Sequence, residues 1–347
     1  MAEASVRPRR ILVVGCGSIG RRHTGNLRAL GQREVRLVDP DAEGLKRACG
    51  AFNLAGTPTI EEGLAWKPEV VLVANPTAYH VATALEAARH GCHLFVEKPL
   101  GNSLQGMEEL LQTVQERRLV TMVGCNLRFH PGPKLVHESL AQGTIGRPLA
   151  ARLEAGSYLP SWRPGTRYQE SYSASKMLGG GCILDGIHEL DLACWYFGWP
   201  REVFARAAEG ASLGIETEAL AEILLTYPDG LLVSIHLDYV QRWRQRRCEV
   251  IGERGTIAWE ARREEVQRYR EDASAPERLG YEPGYDINQM YVEELREFLR
   301  CVDERESCAA DVHWAARVTQ IALAAKQSVA SRQPVSVDVD PLTAGVG

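Results

Sequence analysis

Glycines at 15, 17 and 20 stand in the spacing G-x-G-x-x-G, directly after the apolar residues 11–14 and directly before residues 21–30, a stretch of helical composition. That strand, turn and helix would suit the binding of a pyrophosphate. Gly15 permits the tight turn, Gly17 lets the backbone approach the phosphates, and Gly20 lets the helix pack close to the strand. Ser18 and Ile19 complete the turn, and the phosphates would meet the free N–H groups and positive dipole end of the helix. A second apolar run, residues 34–38, ends in Asp39. A carboxylate about 20 residues past the last glycine accepts hydrogen bonds from the adenosine ribose hydroxyls and repels the extra phosphate of NADP. Pro40 and Asp41 follow it rather than an arginine, so the site is expected to take NAD in preference to NADP. The plainer explanation of Asp39 is that Asp-Pro-Asp starts a turn.

A second group of reactive side chains lies at 185–191. Three glycines, 179–181, feed a helical stretch in which Asp185, His188 and Asp191 recur every three residues and so share a face. Beside Leu184, Ile187 and Leu192 they are expected to be partly buried, and burial next to other charges shifts proton affinity. The same pattern is also met by a satisfied core histidine between two solvated acids.

These groups need elements to hold them. Residues 9–125 alternate strand and helix, with apolar strands at 69–74, 93–96 and 120–123 and helices at 41–50, 59–65 and 103–118. Near-continuous apolar runs mark parallel strands covered on both faces. The fold class expected is α/β: a Rossmann-type, doubly wound parallel sheet. Ligands on such sheets bind beyond the strand C-termini. Gly15, Asp39, Asn75, Lys98 and Asn126 all stand at such ends, so they can converge. Past residue 126 longer strand-like runs appear at 149–157, 202–208, 218–227, 231–239, 248–251 and 256–259, with a hairpin signal at Pro228-Asp-Gly230. Strands without regular crossover helices suggest an α+β domain with an open, mainly antiparallel sheet. Residues 262–285 read as loop, and 288–305 and 309–331 as helices. The domains expected are 1–126 and 127–347, with the C-terminal helices able to pack back on the first.

Length and charge narrow the function classes. A chain of 347 residues suits two domains. A net charge of -5, with one basic run at 241–247, does not advertise a nucleic-acid or membrane surface. That run reads as a solvated strand or loop near an interface. Nine scattered cysteines, without C-x-x-C pairs, suit reduced thiols in a cytoplasmic protein. His90-Gly-Cys-His93 looks metal-like, but a structural zinc site needs four ligands, and no second cluster supplies the others; no metal is expected. The polar first ten residues lack the apolar core of a signal peptide, and no apolar run reaches membrane-spanning length.

The order and spacing of the glycine turn, Asn75-Pro76 after a strand, Glu97-Lys98-Pro99, and the glycine-led Asp185–His188 stretch resemble the glucose-fructose oxidoreductase / inositol dehydrogenase / rhizopine-catabolism (Gfo/Idh/MocA) family of nicotinamide-dependent oxidoreductases, over roughly residues 9–331. The resemblance implies a Rossmann domain, an open-sheet second domain that often forms the interface of dimers or tetramers, and a cis Lys98–Pro99 bond. It puts the family's catalytic lysine on Lys98 and its helical histidine on His188. The family's upstream aspartate falls on Asp185, although many members have Asp-x-x-x-His where this chain has Asp-x-x-His, so Asp185 would point differently.

By that resemblance, His188 takes the hydroxyl proton while Lys98 holds and polarises the oxygen, or the two exchange roles. Glu97 positions Lys98 or contacts cofactor. Asn75, Pro76 and His80 line the nicotinamide side; Asn126 follows the last Rossmann strand, and Arg128 could reach cofactor phosphate or substrate. Trp162, Arg163 and Tyr168 are candidates for sugar or cofactor contact, because aromatic faces and planar guanidinium donors suit a polyhydroxylated ligand. The activity implied is an NAD-dependent dehydrogenase acting on a sugar, sugar derivative, sugar nucleotide or cyclitol. Two other readings remain open: an enzyme of the same fold that keeps its NAD through glycoside cleavage or a sugar–sugar hydride shuttle, and a non-enzymatic dinucleotide-binding regulator.

Overall fold

The computed structural model describes residues 7–163, 165, 167–281 and 284–337. The chain divides into two compact units, residues 1–126 with 288–316, and residues 127–287 with 317–347.

In the first unit the order is β1 (Ile11–Val14), α1 (Ser18–Ala29), β2 (Val35–Val38), α2 (Ala42–Phe52), β3 (Ala55–Thr57), α3 (Ile60–Ala65), β4 (Val70–Val73), α4 (His80–Arg89), β5 (His93–Val96), α5 (Met107–Arg117) and β6 (Thr121–Val123). The six strands form one parallel sheet in the order β3-β2-β1-β4-β5-β6. Strand order reverses between β1 and β4, and this is where a doubly wound sheet offers its binding crevice. Strands β1, β4 and β5 are buried at every position, which is why they read as unbroken apolar runs. The short outer strand β3 is not, and its Ala-Gly-Thr carries no pattern.

The second unit contains α6 (Pro131–Ala141), β7 (Pro148–Gly156), α7 (Cys182–Asp185), α8 (Ile187–Phe197), β8 (Glu202–Glu209), β9 (Glu218–Thr226), β10 (Leu232–Asp238), β11 (Gln245–Gly252), β12 (Gly255–Glu260), β13 (Glu265–Arg270) and β14 (Glu277–Gly280). After the helix α9 (Asn288–Glu304), which belongs to the first unit, come α10 (Val312–Ser331), through which the division passes, and β15 (Val335–Ser336). The nine strands run β14-β13-β12-β11-β7-β10-β9-β8-β15; β7 and β10 are parallel and every other pair antiparallel. Alternate residues along β9 and β10 point inward, with Ala219, Ala221, Ile223, Leu225, Val233, Ile235 and Leu237 all buried. This is the period of a strand with one face on a core.

The stretch 262–285, expected as loop, carries the edge strand β14 and its neighbour β13 instead. In β13 only Val266 is fully buried and its neighbours are polar, so little alternation shows in the sequence. Among the described residues no helix is long and apolar enough to cross a membrane.

Candidate functional site

In the first unit the glycine turn is built by close approach. Gly15 has φ +102°, and a Cβ there would lie 2.5 Å from the Ala74 carbonyl oxygen at the end of β4. A Cβ on Gly20 would stand 1.9 Å from the Gly15 oxygen, whereas one on Gly17 would meet nothing within 4 Å. The turn is thus closed below and open above. Helix α1 starts with Gly17 as N-cap, with no side-chain cap and no acidic residue in its first turn. Its leading N–H groups and dipole end suit an anion. Asp39, just beyond β2, accepts the Cys16 N–H at 2.6 Å and the Asp41 N–H at 2.9 Å, which fixes the carboxylate beside the turn. Burial, followed by the nearby Asp39 charge, pushes the Cys16 thiol up to about 12, so it is no nucleophile at neutral pH.

The loops after β4 and β5 are tied together. The His80 ring is buried, with Nε2 2.8 Å from the Asn75 carbonyl oxygen and Nδ1 2.8 Å from the Pro99 carbonyl oxygen, and in its neutral form it donates to one of the two at a time. Burial lowers its pKa, against the opposing pull of those two carbonyls. Asn75 donates to Thr83 Oγ1 at 2.9 Å, and Pro76 leads into a short turn of helix before α4. The side-chain oxygens of Asn75 and Asn126 are buried without a partner among the described residues. Lys98–Pro99 is cis. Glu97 accepts the Lys98 backbone N–H at 3.2 Å and bonds His23 Nε2 at 2.5 Å. Its burial raises the carboxyl's pKa, but the His23 hydrogen bond and the charges of His23 and Lys98 outweigh this, and the net direction is down.

In the second unit, Gly181 has φ +111° and its N–H bonds the Ser173 carbonyl, so the glycine lead-in lets α7 press against residues 172–173. Asp185 is held by two tyrosines: Tyr172 donates to Oδ1 at 2.8 Å and Tyr239 to Oδ2 at 2.6 Å. Both are buried deeply enough that their hydroxyls titrate well above the ordinary value, so they remain donors. His188 is buried in the first turn of α8. Glu189 pairs with Arg246 at 2.8 Å. Trp162 donates to Ser157 Oγ at 2.6 Å, edge-on to Tyr239 at 5.4 Å between centroids, and remains over a third exposed. Arg163 lies over the Tyr172 ring at 5.5 Å.

One expectation changes, and two candidate ligand residues gain protein partners. Asp185, His188 and Asp191 do not sit on one helix, since α7 ends at Asp185 and α8 starts at Ile187. Arg128, expected at phosphate or substrate, spends Nε and one terminal nitrogen on Asp191 at 2.8 and 2.6 Å, with both side chains buried. Tyr168, expected at the ligand, donates its hydroxyl to the Leu213 carbonyl at 2.9 Å. The partners that sequence reasoning missed are His23, Tyr172 and Tyr239, which lie 74, 13 and 54 residues from the carboxylates they hold. No group of three or more His, Cys, Asp or Glu among the described residues could hold a metal ion. His93 instead accepts the Val120 N–H at 2.8 Å and lies 3.1 Å from Arg305, with burial lowering its pKa to about 4.

The parallel sheet, its glycine turn and the acidic residue at the end of β2 are the parts of a dinucleotide-binding Rossmann domain. Residues 9–125 match the family model described as "Oxidoreductase family, NAD-binding Rossmann fold", and residues 134–258 match the "GFO/IDH/MocA C-terminal domain". The chain belongs to the Gfo/Idh/MocA family and is a dehydrogenase or reductase of that family. It is 26% identical over 339 residues to the "Uncharacterized oxidoreductase YrbE" of Bacillus subtilis, covering 94% of this chain and 96% of that protein. It is likewise 26% identical over 347 residues to the "Myo-inositol 2-dehydrogenase" of Thermotoga maritima, covering 95% and 98%. Among solved structures, a levoglucosan dehydrogenase in complex with NADH and levoglucosan superposes with a TM-score of 0.87 at 20% identity, over 96% of this chain and all of that one, and shows the shared fold.

Proposed function

We propose that this chain oxidises a secondary alcohol of a sugar, sugar derivative, sugar nucleotide or cyclitol, with NAD as the preferred hydride acceptor. The observation that carries the reading is Glu97-Lys98-Pro99 at the C-terminal end of β5, in the same sheet as the open, uncapped glycine turn. Gly15, Gly17, Ser18, Ile19 and Gly20 hold the pyrophosphate, and Asp39 holds the adenosine ribose. Asn75, Pro76, Glu97, Lys98 and Asn126 serve the nicotinamide side. His80 acts from behind, by tying the Asn75 and Pro99 carbonyls together. Bound NAD supplies the two-electron acceptor.

The chain's own groups manage the proton. His188 serves as the base for the substrate hydroxyl proton, and the Lys98 ammonium serves to polarise a substrate oxygen. Asp185, with both oxygens accepting from tyrosines, is a preorganised acceptor for a neighbouring substrate hydroxyl. Trp162 and Arg163 offer a flat face and a planar donor to a polyol. The inositol and levoglucosan dehydrogenases named above support a carbohydrate or cyclitol substrate. A Rossmann domain over 1–126 and a second domain over 127–347, a cytoplasmic location and a homodimer or homotetramer complete the proposal.

The test is a panel of sugars, cyclitols and sugar nucleotides mixed with protein and NAD, beside NADP, followed by NADH absorbance. Sustained NADH formation with a panel member supports the reading. Tightly retained cofactor, turnover of a glycoside and no net NADH would replace it with a closed hydride cycle.

A further inference from the structure

His23 is fully buried on α1, yet the polyol reaction gives it no task. Its Nε2 lies 2.5 Å from Glu97 Oε1, and its Nδ1 has no hydrogen-bond partner among the described residues. The ring is walled by Phe95, edge-on at 5.1 Å, and Tyr291 at 6.0 Å. Glu97 is itself buried, and its second oxygen accepts the backbone N–H of Lys98 at 3.2 Å. On another side Gly124 packs so close that a Cβ there would lie 3.2 Å from both carboxylate oxygens. The carboxylate therefore has little room to swing. One of its oxygens is held by α1, and the other holds the backbone of the lysine.

We infer that His23 is a positioning residue: acting through Glu97, it fixes the backbone of Lys98 to the helix that begins at the glycine turn. This inference rests on the reading of Lys98 as a catalytic residue. The physical case is one of alternatives. The ionised carboxylate has no hydrogen to give, so His23 Nε2 donates to it. Without the imidazole, Glu97 is a buried carboxylate short of a partner, and it must gain a proton or move. A proton weakens the acceptor of the Lys98 N–H, and a movement releases it. A displacement of a catalytic group by about 1 Å can cost about 100-fold in rate, even when the substitution is remote from the chemistry.

The experiment compares His23→Leu with His23→Gln, whose amide nitrogen takes the place of Nε2. Two readouts are taken: steady-state kinetics on the best polyol, and hydrogen exchange of the Lys98 amide in the full chain without substrate. His23→Leu is expected to lower kcat by about 10- to 100-fold with KM for NAD within about threefold. His23→Gln is expected to stay within about threefold of wild type in both. The Lys98 amide should exchange at least about tenfold faster in the leucine variant and at the wild-type rate in the glutamine variant. Should His23→Leu fail to fold, His23→Asn, whose amide falls short of Glu97, takes its place.

Wild-type kcat in the truncated variant overturns the inference. So does equal impairment of the glutamine and leucine variants, or unchanged exchange at Lys98. If wild type turns over no polyol but the exchange pattern follows the expectation, the catalytic reading fails while the anchoring of Lys98 by His23 stands.

Discussion

Replacing Asp191 by asparagine keeps the shape of the side chain but removes the charge facing Arg128. In the native chain two guanidinium nitrogens reach the two carboxylate oxygens at 2.8 and 2.6 Å, and the side chains are only 6% and 3% exposed. Such a bidentate pair is the strong form of a charge-assisted hydrogen bond. Its loss leaves a buried guanidinium facing a neutral amide, and breaking a buried pair at one partner costs about 3–5 kcal/mol. In units of this size a kilocalorie moves Tm by about 2–4 °C, so the unfolding transition of the second unit should fall by about 6–20 °C. Differential scanning calorimetry follows it, and a chain with two units can show two transitions, of which only that one should move. The double variant Arg128→Met with Asp191→Leu removes both charges at similar volume and should recover most of the loss. A drop below about 2 °C in the single variant would refute the reasoning, since it would mean that water already screens the pair.

Two further outcomes follow from the geometry. Gly20→Ala places a Cβ against the Gly15 carbonyl, only 1.9 Å away; the turn must open, and NADH affinity by fluorescence titration should weaken by about tenfold or more, whereas an unchanged Kd would show that the turn yields freely. His236 bonds Glu222 at 2.6 Å and Asp238 at 3.2 Å, and the Asp238 hydrogen bond in particular lifts its pKa to about 9 from an ordinary 6.5. A folded value above the unfolded one stabilises fully below about pH 6.5 and is lost as pH rises through about 9. The Tm of wild type should therefore fall relative to His236→Gln across that window, and parallel curves for the two proteins would count against the pairing.

Much of the first unit was legible because its physics is local. Buried parallel strands are apolar end to end, and the turn needs glycine where the backbone passes within van der Waals reach of Ala74. Strand C-termini then place Asp39, Asn75, Lys98 and Asn126 without further information. The hairpin at Pro228-Asp-Gly230 was equally readable, with Gly230 at φ +87° and Gly230 N–H bonded to the Tyr227 carbonyl.

What escaped is long-range or solvated. Helix α6, which opens with Pro131-Gly-Pro, was not among the expected helices, although proline is well placed in a first helical turn. The outer strands β13 and β14 lack an apolar face to announce them. Nothing near Arg128 in the chain announces its ion pair with Asp191, 63 residues away. His23 left one sequence signal: it falls with Gly20, Thr24 and Leu27 on the inward face of α1, and a polar residue on a buried face needs a partner. Nothing local said that the partner was Glu97.

The central claim is that Lys98 takes part in transferring hydride equivalents from a polyol to NAD. It is tested most directly by the initial rate of NADH formation in Lys98→Met, measured with the best substrate of the panel and with NADH binding checked in the same protein. The account predicts intact cofactor binding with kcat lowered by about 100-fold or more, as expected for loss of a proton-handling group. Turnover at the wild-type rate would contradict it.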